Sequence, residues 1–305
     1  MSQDPRTALA QIRIVLVEPA GPLNVGSVAR VMKNFGLQHL VLVKPHCDPL
    51  GEEAMQMAVH AKDLLEAASV VADIPAALEG CYRAIATTAR PRDINTPLEP
   101  PEQALPALLQ AIEPAQTGGT QSERGDRALI FGPEDRGLSN EELIHAQRFV
   151  KIPTDDRYSA LNLAQAVAVC CYELHRASTS AHRKSTGLNP ADSEQNLTNT
   201  LRTSPPSDKQ TESQLQKSHF QPETASASAQ PPVQPLARLD ELEGYYQHLE
   251  SVLLSVEYLY PHTAASRMRK IRQLLQRATP TSAEVALLRG MLRQVEWALS
   301  ESQKG

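Results

Sequence analysis

The sequence predicts an α/β protein, a three-layer domain on a parallel sheet, with a small helical domain after it. Three observations predict this. Short apolar runs of strand length alternate with stretches whose apolar residues recur every three to four positions. The loops leaving several of those runs carry glycines and polar side chains, as expected where a parallel sheet presents its strand ends to a ligand. Residues 183–235 then turn to Ser, Thr, Gln and Pro before helical periodicity returns at residue 236.

Residues 12–17 (IRIVLV) form a continuous apolar run, typical of a strand covered on both faces. A loop over 20–24 leads to a helix over about 25–35, with Val25, Val28, Ala29, Met32 and Phe35 on one stripe and Gly36 placed to end it. Residues 40–43 (LVLV) are the next strand, so the unit is β-α-β and the sheet parallel. Residues 51–78 read as helical and Ala-rich, interrupted by a short extended piece at 69–71. A strand over 82–87 runs into Thr87, Thr88 and Ala89, and a proline-bracketed helix is expected over 97–113. After a polar loop (116–126), residues 128–131 (ALIF) form a strand that stops at Gly132-Pro133. Ser139 with Glu142 reads as a capping box. A fifth strand over 149–152 is cut by Pro153, which cannot donate to a ladder. A polar loop over 154–159 then precedes a helix opening at Leu161-Asn162, with Leu163, Ala166, Val167, Cys170, Cys171 and Leu174 on its buried stripe.

The domain is expected to span 1–180. Large apolar residues are scattered through the segment that follows. It cannot bury enough surface to offset its ordering entropy, so 181–235 is expected to be a disordered linker. Residues 236–305 carry three helical patterns, over 239–258, 264–276 and from the Thr281-x-x-Glu284 capping box onward.

Composition narrows the function classes. The 305 residues are 41% hydrophobic but only 4% aromatic, so the core is aliphatic. A net charge of −5 argues against a general polyanion binder, including DNA, although a local basic face fits within it. The four cysteines show no C-x-x-C pair and no metal-type spacing with His, so no metal site is expected, and Cys170 and Cys171 read as reduced core residues. No apolar run reaches membrane length and no signal-peptide core appears, which points to a cytoplasmic protein with no membrane partner.

Three strand ends concentrate the chemistry. The first is Pro22-Leu23-Asn24-Val25-Gly26-Ser27-Val28-Ala29-Arg30, where Gly26 allows close backbone approach. The second is Phe131-Gly132-Pro133-Glu134-Asp135-Arg136-Gly137-Leu138, and the third is the loop at Ser159, Ala160, Leu161 and Asn162. Singly, each reads as ordinary turn chemistry or a helix cap. Together, at the ends of parallel strands, they read as a site.

The patterns N-x-G-x-x-x-R, F-G-x-E-x-x-G-L and I-P…L-N-L-A-x-A-V resemble the three SpoU motifs of the SPOUT RNA methyltransferases, and in detail those that methylate cytidine or uridine 2′-oxygens in tRNA. The resemblance covers the whole α/β domain and resumes at residues 239–250 and 287–291. It implies a sheet whose C-terminal portion is threaded into a trefoil knot, an S-adenosylmethionine cofactor held by the knot loops, and a homodimer whose partner contributes to the RNA site. It also implies 2′-O-methylation of cytidine or uridine at position 32 of the tRNA anticodon loop. Carried onto this sequence, the cofactor residues are Thr87, Thr88, Ala89, Gly132, Ile152, Ser159, Ala160 and Leu161. The catalytic residues are Arg30, which offsets charge developing on the 2′-oxygen, Glu134, which orients Arg30, and Asn162. Arg30 also reads as a surface ion pair, with Glu134 a possible partner.

One position departs from the pattern: Ala160 stands where the family usually has Ser. Either the hydroxyl is dispensable, or Ser159 supplies it, or activity is reduced; adjacent loop residues point differently, which favours the first. For RNA, the resemblance points to Asn24, to Arg90 and Arg92 after the Thr87 loop, and to Arg269 and Lys270 within a basic cluster that also holds Arg267, Arg272 and Arg277. On charge pattern alone that cluster reads equally as a solvated face. Two other readings stand beside the enzyme: a catalytically idle RNA-binding protein, hinted at by Ala160, and a helical interaction module on an α/β scaffold.

Overall fold

The computed structural model describes residues 5–89, 97–110, 126–155, 157, 159–186 and 235–302. They contain a seven-stranded sheet in the order β3-β2-β1-β6-β4-β7-β5, with every pairing parallel. The strands are β1 (Ile12–Val17), β2 (His39–Val43), β3 (Ser69–Val71), β4 (Arg83–Thr87), β5 (Leu98–Glu99), β6 (Arg127–Phe131) and β7 (Arg148–Val150).

Side-chain alternation along β1 explains the layers. Ile12, Ile14 and Leu16 enter one core, with Val25, Val28, Ala29 and Met32 of α2 (Pro22–Phe35) and Leu163, Val167, Cys170, Cys171 and Leu174 of a long later helix. Val15 and Val17 enter a second core on the opposite face, with Ile74, Leu78, Leu143 and Phe149. A strand buried on both faces reads as an unbroken apolar run, and β1 does. The cysteines of the long helix are fully buried and free, and burial pushes the Cys170 thiol up to about 12.

Two local differences from expectation have identifiable causes. The stretch after residue 97 is not one helix but β5, α6 (Pro101–Ala104) and a 3-10 turn (Leu105–Leu109). Pro106 removes a helical donor and crowds the preceding turn. Leu98 and Glu99 instead pair with Phe149 and Val150, and Arg148 grips the Glu99 carboxylate. Second, the long helix, α8, spans Leu163–Thr186 and so passes the expected boundary at 180. The rest of the expected linker, through residue 234, lies outside the described residues. Gly26 does allow a close backbone approach, since a Cβ there would lie 2.3 Å from the Ala54 carbonyl oxygen of α3 (Glu52–Ala58).

Gly36 ends α2 at φ 78°, and Ser139 and Glu142 form the reciprocal capping box of α7 (Asn140–Leu143). Beyond the linker come α9 (Leu239–Ser255), α10 (Pro261–Ala278) and α11 (Ser282–Ser302) around their own core of Leu242, Tyr245, Tyr246, Leu259, Met268 and Val285. They dock on the second face of the sheet. The Leu239 N–H donates to the Cys81 carbonyl at 2.8 Å, and Gln276 Nε2 donates to the Ile144 carbonyl at 2.7 Å. Arg272 is buried in this docking region, doubly bonded to Glu243 at 2.5 and 2.8 Å, and lies over the Tyr246 ring at 4.4 Å.

Candidate active site

β6, β4 and β7 are neighbours, and their C-terminal ends open into one cleft. Chain order reverses across the sheet beside them, the usual place for a ligand in an open α/β sheet. Thr87, Thr88 and Ala89 line the cleft from the end of β4, and Gly132, Glu134 and Arg136 from the end of β6. Ile152, Ser159, Ala160 and Leu161 line it from the loop after β7. All eight residues expected at the cofactor therefore face a common space, with Phe131 and Leu163 adding apolar floor.

The Gly132 turn is built for closeness. A Cβ there would sit 2.4 Å from the Leu138 nitrogen and 2.6 Å from the Gly137 carbonyl carbon. Gly137, at φ 64°, supplies the left-handed residue that folds the loop back. Arg136 fixes the loop from below, with one nitrogen 2.6 Å from Glu18 at the end of β1 and both terminal nitrogens on Glu142, at 2.8 and 2.9 Å. These bonds raise the Arg136 pKa. At Glu142 burial pulls upward, but the bonds from Arg136 and Ser139 outweigh it and hold the carboxyl low. Sequence reading passed over Arg136 and Glu18 because an arginine inside a turn motif does not announce acids 118 residues away.

Glu134 forms no bond with Arg30 among the described residues. Its carboxylate accepts from Asn24 Nδ2 at 2.9 Å and from the backbone N–H groups of Ala20 and Gly21 at 3.2 and 3.4 Å. Asn162 meets Asn24 from the other side, donating from Nδ2 to Asn24 Oδ1 at 2.9 Å. Its own Oδ1 accepts from the Ala164 N–H at 2.9 Å, and its N–H donates to Gln165 Oε1 at 3.2 Å. Asn162 thus caps α8 with the oxygen of its amide and holds Asn24 with the nitrogen. Cys47 also flanks this network; burial and then the Glu134 carboxylate push its thiol up.

Arg30 lies on the exposed face of α2, outside the cleft lining, and forms no side-chain hydrogen bond or ion pair among the described residues. Arg90 and Arg92 lie outside the described residues. In the tail, Lys270 is exposed, whereas Arg269 turns toward Glu141 at 3.9 Å. The five basic residues thus do not form one solvent face, since Arg272 is consumed by the core. Among the described residues no cluster of His, Cys, Asp and Glu could hold a metal, and no helix is long and apolar enough to cross a membrane.

Residues 11–172 match the SpoU rRNA Methylase family, and residues 240–304 match the C-terminal domain of the tRNA methyltransferase TrmJ. The tRNA (cytidine/uridine/adenosine-2′-O-)-methyltransferase TrmJ of Pseudomonas aeruginosa (strain UCBPP-PA14) is 35% identical over 288 residues, covering 94% of this chain and 95% of that protein. The tRNA (cytidine/uridine-2′-O-)-methyltransferase TrmJ of Cronobacter sakazakii (strain ATCC BAA-894) is 34% identical over 294 residues, covering 96% and 99%. The crystal structure of TrmJ from Z. mobilis ZM4 superposes with a TM-score of 0.67 at 27% identity, covering 93% of this chain and 98% of that one.

Proposed function

The chain belongs to the TrmJ branch of the SpoU methylase family, and from that premise we propose that it methylates a ribose 2′-hydroxyl of tRNA using S-adenosylmethionine. The observation that carries the reading is the joining of three strand-end loops into one cleft, whose Glu134 also bonds Asn24 of α2, itself held by Asn162.

The residues present fit the cofactor. An adenosyl group needs a flat apolar slot edged by backbone groups. Ile152, Leu161 and Phe131 offer the apolar surface, and the Gly132 turn brings main chain close without a side chain. Thr87, Thr88, Ala89, Gly132, Ile152, Ser159, Ala160 and Leu161 would hold it. When bound, the cofactor supplies a methyl group activated by its sulfonium. Glu134 and Asn162 fix the Asn24 amide at the site. Arg30 stabilises the charge that develops on the 2′-oxygen of an RNA laid across this edge.

In this reading Asn24, Arg90, Arg92, Arg269 and Lys270 contact RNA, the target is cytidine or uridine at position 32 of the anticodon loop, and the enzyme works in the cytoplasm as a homodimer. The C-terminal part of the sheet is threaded into a trefoil knot, against the general rule that chains avoid threading.

The test is methyl transfer by the purified protein onto tRNA, with ribose methylation mapped by mass spectrometry. A single methylated pyrimidine ribose in the anticodon loop is expected. RNA retention with no methylation of any tRNA would replace the enzyme by an idle RNA binder, the reading at which Ala160 in the usual Ser position hints.

A further inference from the structure

The turn between α9 and α10 displays rings and cations that the cleft does not use. Leu259 is the pin: it is 1% exposed, sits in the helical core, and its N–H donates to the Leu253 carbonyl at 2.9 Å. Its neighbours in sequence face the other way, Tyr258 at 59% exposure and Tyr260 at 50%. Scattered exposed side chains of this kind need no explanation, but these two carry partners. The Arg267 guanidinium stands 5.6 Å from the Tyr258 ring centroid and is held there by a 2.9 Å bond from Nη1 to the Tyr258 carbonyl. The His262 ring stacks on Tyr260 at 5.9 Å with an interplanar angle of 21°.

Apart from the exposed Glu257 in the turn itself, the charge beside them on the following helix is basic. The 18 residues of α10 include no Asp or Glu, in a chain whose net charge is −5. With Arg272 engaged by Glu243 and Arg269 turned to Glu141, the exposed cations are Arg267, Lys270 and Arg277. An apolar protein partner would gain little from rings already bordered by cations. Unstacked bases on a phosphate chain fit both features, since a base stacks on an aromatic ring or a guanidinium plane while the basic face follows the backbone.

We propose that Tyr258, Tyr260, His262 and Arg267 form a stacking platform for unpaired bases of the RNA substrate, with Lys270 and Arg277 on the adjoining phosphates. This rests on the reading of RNA as substrate and adds which part of the RNA the helical domain reads: single-stranded nucleotides, not duplex.

The test uses the full chain carrying Tyr258→Ala and Tyr260→Ala together, with Tyr258→Phe and Tyr260→Phe as the ring-preserving control. The probes are a tRNA anticodon stem-loop and a blunt RNA duplex of equal length. Loss of a base stack weakens single-strand binding by about ten- to hundredfold. The alanine pair should lose that much on the stem-loop and nothing on the duplex, while the phenylalanine pair keeps wild-type affinity. Equal binding by the alanine pair, or equal loss on both probes, overturns the platform. So does a shift in oligomeric state, which would assign the surface to a second copy. Methyl transfer by the wild type at saturating tRNA is read separately. Its absence would defeat the proposed function while a selective stem-loop loss still upheld the platform.

Discussion

Asn24 donates to Glu134 at 2.9 Å across 110 residues of sequence, and this bond joins the first turn of α2 to the loop after β6. Glu134 is the hub because a carboxylate accepts several donors at once, here one amide and two backbone N–H groups. Glu134→Gln leaves one acceptor oxygen and adds competing donors. Turnover should fall by about ten- to hundredfold, because the Asn24 amide loses its fixed orientation. Because the network is exposed, the melting temperature should barely move. Equal losses in turnover and stability would show a purely structural bond.

Arg30 is the sharper case. Its exposure and its lack of a partner among the described residues leave the guanidinium available to RNA. Arg30→Ala should remove about 10²–10³ in turnover with little change in tRNA affinity, and Arg30→Lys should recover only part. Single-turnover methylation at saturating tRNA and cofactor measures it. Near-normal turnover in Arg30→Ala would retire the proposed role.

Gly132→Val should abolish cofactor binding, because the new Cβ would lie 2.4 Å from main chain and force the turn open. Gly137→Ala is the contrasting change. No atom lies within 4 Å of its Cβ, so it meets only the cost of φ 64°, on the order of 1 kcal/mol, and should bind cofactor more weakly but measurably. Calorimetry on the folded fraction of each variant decides; unchanged affinity in Gly132→Val would remove this turn from the site.

A pH dependence should arise where the helices dock. His145 is 3.7 Å from Glu243, and burial lowers its pKa below the usual 6.5. Glu243 opposes that shift, Arg272 adds to it, and Asp73 and Glu142 oppose it more weakly. With the folded value below the unfolded one, the unfolded chain takes up the proton first. Stability is therefore full above about pH 6.5 and declines as pH falls from there toward the folded value. His145→Gln should flatten that decline in melting curves between about pH 7 and pH 5. An unchanged slope would mean that His145 does not set it.

Much of the fold was legible because burial writes itself into residue type. The run at 12–17 has the pattern of a strand covered on both faces, and the stripe from Leu163 to Leu174 that of one buried helix face, and both are buried so. β5 was not legible, since two residues between prolines carry no period; it exists because Phe149 and Val150 offer a ladder and Arg148 a partner for Glu99. At the site, the residue types were readable but not their pairing. Sequence supplied Glu134 and Arg30 as plausible partners by charge, and the fold gave Glu134 to Asn24 instead. Arg272 misled for the same reason: an arginine on a basic helix looks solvated until a half-buried Glu243 is seen across from it.

The double duty of Asn162 bears on the order in which the chain is made. Synthesis runs from the N-terminus, and early segments begin to organise first. Asn24 and Glu134 can meet as soon as β1 and β6 pair, yet Asn162 reaches Asn24 only from the cap of a helix that must itself form and bury Leu163 to Leu174. A nascent chain released before α8 would hold two of the three loops and still lack the closing one. The last helix of the domain thus acts as a completion signal, and no partial product should pass as an enzyme.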